Sequence, residues 1–228
     1  MISNPIQTYW AQLAAHHDVD AFATLDAAYR EPQRSYHDWS HIADLLGKLD
    51  ELKTLAVRPD LLAAAIFWHD AVYETQEDDG ALRPDAENVR ASAKLFERHS
   101  TFAKADADAV GDLIMATAGH LDARAMTEHY PGFTGDLDLF LDLDLSSLAA
   151  PWSVFQENLE KLRFEYSWVP EPLFCLGRLQ MIETFAARGE ALYRRAETRK
   201  LWSEAARDNL AHAQDELREQ VARLASSA

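Results

Sequence analysis

The chain has 228 residues, 48% of them hydrophobic and 26% charged, which excludes a disordered or fibrous protein and provides length for a substantial core. Its formal net charge of −16 argues against duplex DNA or an anionic membrane as a partner, since both repel an acidic surface at long range. The single cysteine, Cys175, excludes an internal disulfide and a cysteine-based zinc site, and reads as a small buried hydrophobe.

Only eight glycines and eight prolines are present, and Ala, Leu, Glu and Arg are abundant, so the expected fold class is all-α. Asn4-Pro5 reads as the cap and first residue of a helix carrying Ile6, Tyr9, Trp10 and Leu13 on one face. A short helix over about 21–29 ends before Glu31-Pro32, and a third begins near Asp38 with Ile42, Leu45, Leu46 and Leu49 on its inner face. Pro59-Asp60 starts a central helix expected to run to about Glu74, apolar nearly all round and therefore buried.

A polar loop, 75–84, follows, and then helices over about 85–98 and 103–118. Pro131-Gly132 separates these from a segment over 134–148. Within that segment residues 136–145 alternate Asp with Leu or Phe, a period-two pattern that suggests a strand. No second strand is on hand to pair with it, so the segment is expected to be helical. Pro151 opens a helix to about Trp168, Pro170 opens another to about Arg188, and residues 198–224 form an amphipathic, charged last helix.

No repeat, low-complexity tract or linker interrupts the sequence, so residues 1–228 read as one helical domain. Its core covers about 30–150, and a C-terminal helical extension covers about 151–228. No basic-then-apolar leader opens the chain, and no uncharged apolar run approaches the roughly 20 residues of a membrane span. A cytoplasmic protein is expected.

The residues that stand out chemically are His69 and Asp70, set in the apolar run 61–73. A buried carboxylate needs a cation, hydrogen bonds or a metal. Taken alone, the pair also fits a helix in which His69 donates to a main-chain carbonyl and Asp70 pairs with an arginine. His37 and His41 lie four apart and share a face if one helix holds both; otherwise His37 is a capping or surface residue. Glu74 lies four beyond Asp70, as a general base or an exposed helix end. In the aspartate cluster, Asp136 and Asp138 are expected to be solvated, while Asp142 and Asp144 have the most hydrophobic context. The loop glycine and terminal glutamate of an EF-hand are missing.

The order His41, then His69-Asp70, then Asp144 resembles the signature of the HD superfamily of metal-dependent phosphohydrolases. More closely, the chain resembles a small bacterial family of predicted HD-superfamily hydrolases. Its members read Arg-x-Tyr-His-x-x-x-His-Ile, then Trp/Phe-His-Asp-x-Val-Tyr-Asp/Glu, then Asp-x-Asp-Leu-Ser-x-Leu, and finish with Gly-Arg and Ala-Arg-x-Asn-Leu. Here the first three blocks are Arg34 to Ile42, Trp68 to Glu74 and Asp142 to Leu148. Gly177-Arg178 and Ala206 to Leu210 supply the rest, so the resemblance spans roughly 30–210. The family's Ser-Ala appears as Ser92-Ala93, with Asn88 one turn earlier; the acidic residue usually beside that Asn is Glu87, on its other side.

The resemblance implies an HD-domain-like helical bundle, its metal-binding core within about 30–150, with His41, His69, Asp70 and Asp144 as metal ligands. Two histidines and two carboxylates suit Mn, Fe, Co, Ni or Zn in preference to Mg. Such a metal lowers the pKa of a bound water and polarises a phosphoryl oxygen. Glu74 or Asp142 is then the candidate proton acceptor. Arg34, His37, His120 and Arg178 are candidate substrate-binding residues, the arginines through paired hydrogen bonds to phosphate oxygens. Arg178 fits equally well in a salt bridge beside Gly177, and His129 reads as a loop bystander. The expected function is hydrolysis of a small phosphorylated metabolite or nucleotide. A di-iron oxygenase of the same superfamily is an alternative, with His99, His120 and His129 as its only further histidine candidates. A non-catalytic interaction module is another, with 198–224 mediating a homodimer.

Overall fold

Proline has no N–H to lose at a helix start, and it opens or immediately precedes five of the helices, at Pro5, Pro59, Pro84, Pro151 and Pro170. The structure, a computed structural model, describes residues 5–226. Asn4, the expected cap of the first helix, lies outside the described residues. Among the described residues there are ten α-helices and no β-strand, so the fold is all-α. No described helix is long and apolar enough to cross a membrane.

The chain falls into two compact units, 1–143 and 144–228. The first holds α1 (Pro5–Leu13), α2 (Ala21–Ala28), α3 (Trp39–Leu52), α4 (Pro59–Trp68), α5 (Asp85–His99), α6 (Lys104–Ala116) and most of α7 (Phe133–Asp144). The second holds α8 (Trp152–Glu165), α9 (Glu171–Ala186) and α10 (Ala196–Ser226), preceded by a 3₁₀ stretch, Leu145–Ala149.

The axis of the first unit is α4, whose residues Leu61 to Trp68 are all fully buried. It packs against α1, α3, α5 and α6. Phe67 meets Trp10 and Trp39 edge-on, and Trp68 meets Phe96. A helix buried on every side has no amphipathic stripe, which is why its sequence is continuously apolar.

Two expectations fail at the ends of α4. The helix stops at Trp68 rather than near Glu74, leaving His69 and Asp70 in the turn that follows. The cause is tertiary. Beyond Ala71, whose N–H bonds to Trp68 O, the amides of Val72 and Glu74 turn to side chains of α5 instead of continuing the helical ladder. The second failure is Asp136, expected in solvent but completely buried. Its carboxylate accepts from the amides of Val57 and Arg58, each at 2.8 Å, and from Tyr130 Oη at 2.9 Å. It thus anchors Val57 and Arg58, the two residues that lead into α4, where Arg58 offers no side-chain cap of its own.

The aspartate segment is the helix α7, as its lack of a strand partner requires. Leu137, Leu139, Phe140, Leu141 and Leu143 are all buried, on several sides of the helix, so the period-two pattern carries no strand information. Gly132, just before α7, has φ of 96° and lies so close to Val57 that a Cβ would stand 2.7 Å from its Cγ2.

In the second unit α9 and α10 run against each other, tied by Arg218 to Glu183 at 2.8 Å and Gln220 to Glu171 at 2.9 Å. Asn209 Nδ2 donates to Leu148 O and Ala150 O, which fixes the 3₁₀ stretch on α10, and Tyr193 Oη, just before that helix, donates to Leu145 O. Cys175 is a buried free thiol on α9, and its burial pushes the thiol pKa up.

Candidate metal centre

The N-terminus of α3 and the C-terminus of α4 bring His41, His69 and Asp70 together. The Asp38 carboxylate caps α3, accepting from Ser40 N at 2.7 Å, and so sets the first turn in which His41 is the third residue. The helix therefore begins between His37 and His41. The two rings nevertheless remain neighbours, with centroids 6.2 Å apart, while His37 stacks on Tyr73 at 3.7 Å. His41 and His69 are buried, and their ring centroids lie 5.5 Å apart.

Both imidazoles address one carboxylate oxygen. His69 Nε2 is 3.0 Å from Asp70 Oδ2, and His41 Nε2 is 3.7 Å from the same atom. His69 Nδ1–H donates to Ile66 O at 3.0 Å, which leaves Nε2 of the neutral ring as a lone pair facing the carboxylate. Two acceptors at that separation repel unless a proton or a metal cation lies between them. Ligand atoms about 2.0–2.2 Å from one ion lie roughly 3 to 4 Å from each other. The three side chains offer one ligand atom each, all within 4.8 Å of one another. The donor set fits a divalent transition ion.

The turn carrying Asp70 is bound on two sides. Arg34 Nη1 donates to Asp70 O at 2.6 Å and Nη2 to Ala71 O at 3.1 Å, while Nε reaches Glu31 at 2.9 Å. On the other side Ser92 Oγ accepts from Val72 N, and Asn88 Oδ1 accepts from Glu74 N. Arg34 was expected at a phosphate, but its side chain is buried and three of its nitrogens are directed at protein acceptors. Burial without such partners would be costly for a guanidinium.

The remaining candidates are placed as follows. Glu74 is exposed at the end of the turn and not on a helical face shared with Asp70, because α4 has already ended. Asp142 is buried within α7, and Asp144 is the last residue of that helix and half-buried. His120 closes the 3₁₀ turn after α6 and donates Nδ1–H to Thr117 O at 2.7 Å. Arg178 lies on α9 in the second unit, with Nη1 3.5 Å from Met181 Sδ. His99 pairs with Asp18 at 2.9 Å and His129 with Asp112 at 2.7 Å.

The resemblance marks Asn88 and Ser92 without giving either a role. They lie four apart on the buried face of α5, among Val89, Leu95 and Phe96. Polar groups in that register need partners, and this was the signal for such a role. No protein-family model matches the chain, and no curated protein matches it.

Proposed function

We propose that this chain is a metal-dependent phosphohydrolase, a phosphomonoesterase or phosphodiesterase acting on a small phosphorylated metabolite or nucleotide. The observation that carries the reading is the convergence of His41 Nε2 and His69 Nε2 on Asp70 Oδ2 at the meeting of two helix ends. The ordered motif shared with the HD superfamily adds Asp144 as a fourth ligand and supplies the reaction class.

His41, His69, Asp70 and Asp144 hold one divalent ion, of Mn, Fe, Co, Ni or Zn in preference to Mg. When bound, that ion supplies Lewis acidity at a phosphoryl oxygen and acidifies its water. The Ile66 carbonyl holds the His69 ring with Nε2 toward the site. Glu74 or Asp142 would be the proton acceptor for the attacking water. His37, His120 and Arg178 contact the substrate phosphate, whereas Arg34 supports the turn beneath Asp70. In this reading the protein works in the cytoplasm, engages neither duplex nucleic acid nor membrane, and uses α10 if it forms a homodimer.

The test is hydrolysis of p-nitrophenyl phosphate, bis-p-nitrophenyl phosphate and a nucleotide panel with added Mn²⁺, Co²⁺, Ni²⁺ or Mg²⁺. Turnover that EDTA abolishes and that Asp70→Ala lacks is the expected result. A metal-loaded wild-type protein that turns over none of these esters contradicts the reading.

A further inference from the structure

Beyond the bond from Ala71 N–H to Trp68 O, the main chain of the segment after α4 is held by side chains. Ser92 Oγ accepts from Val72 N at 3.0 Å and donates to Val72 O at 3.2 Å. Asn88 pairs with both main-chain groups of Glu74, with Oδ1 accepting from N at 3.1 Å and Nδ2 donating to O at 2.8 Å. Arg34 takes the carbonyls of Asp70 and Ala71. These three residues are 0%, 4% and 7% exposed in the order Ser92, Asn88, Arg34. Burying a serine, an amide and a guanidinium in a small helical unit is unfavourable unless each is satisfied. Each finds partners in the main chain of residues 70–74, which begins with Asp70 itself.

We propose that Arg34, Asn88 and Ser92 are positioning residues that hold residues 70–74 in the metal-binding conformation independently of the ion. The inference rests on the metal-centre reading above. Its physical content is pre-organisation. A turn whose polar groups are already satisfied loses no backbone entropy when the cation binds, so the full interaction with His41, His69 and Asp70 appears as affinity. Asn88 carries more than Ser92, because Oδ1 also accepts from Arg83 Nε at 2.8 Å, and Arg83 Nη1 in turn donates to Glu77 at 2.9 Å. One side chain thus ties both the Asp70 turn and the 75–83 loop to α5.

Titration with Co²⁺, followed by its visible absorption, tests this without an activity assay. Asn88→Ala and Ser92→Ala, folded by circular dichroism, are expected to bind Co²⁺ at least about tenfold more weakly, the range found for residues that orient metal ligands. Tyr130→Phe loses a hydrogen bond at the opposite end of α4 and should bind as the wild type does. Wild-type affinity in both folded variants overturns the proposal. A wild type that binds no Co²⁺ overturns the metal centre itself, and the proposal with it. Hydrogen exchange on the wild type gives a second reading even if the variants do not fold. The Val72 and Glu74 amides should be equally protected with and without Co²⁺, and a large gain in protection on adding Co²⁺ contradicts a preformed turn.

Discussion

His17 and His69 each donate Nδ1–H to a main-chain carbonyl, at Leu13 and Ile66, yet their Nε2 atoms face opposite partners. His17 Nε2 accepts from Trp68 Nε1–H at 3.0 Å, so the fold specifies a neutral ring there. His69 Nε2 instead faces the Asp70 carboxylate, 3.0 Å from Oδ2. Nothing local in the sequence separates these two roles, since each histidine adjoins an aspartate or another histidine. Burial pushes the His17 imidazole below its ordinary 6.5, and the hydrogen bond to Leu13 offsets this only in part. A lowered folded-state pKa means that the unfolded chain binds more protons between the two values. Stability is therefore full above about 6.5 and falls as the pH drops from there through the lowered value. Urea unfolding at about pH 7 and pH 5 should show a greater loss for the wild type than for His17→Gln. Equal losses would remove His17 from the account.

At the scale of elements, α4 is held at both ends by residues far away in sequence. Asp136 receives the amides of Val57 and Arg58, the two residues that lead into it, and Arg34, Asn88 and Ser92 receive the turn at its C-terminus. Asp136→Ala should cost about 2–4 kcal/mol, because it removes a buried charged acceptor and strands two amides and a phenol. Denaturant unfolding measures this, and a loss below about 0.5 kcal/mol would contradict the anchoring role. These long-range ties explain what was legible. Proline positions and apolar runs gave the helix starts and the burial of α4, because both act within a few residues. The end of α4 at Trp68 was not legible, since 59–74 contains no glycine stop and the groups that break the ladder come from α5. Asp136 misled for the same reason, as its two main-chain partners lie 78 and 79 positions away.

At the scale of the whole molecule, the all-α class followed from composition, and the HD-like order of His41, His69-Asp70 and Asp144 named residues of which three are neighbours in space. The sequence also identified Arg34, but not its direction. An arginine beside a histidine motif reads as a phosphate ligand until the main-chain carbonyls of Asp70 and Ala71 are seen to occupy it. Everything proposed about catalysis depends on a cation at the His41–His69–Asp70 cluster. Anomalous diffraction at the cobalt edge, from crystals grown with Co²⁺, tests that most directly. A single strong peak bonded to His41 Nε2, His69 Nε2 and the Asp70 carboxylate, with Asp144 completing the ligand set, is the predicted result. Ordered side chains with no peak among them would contradict it.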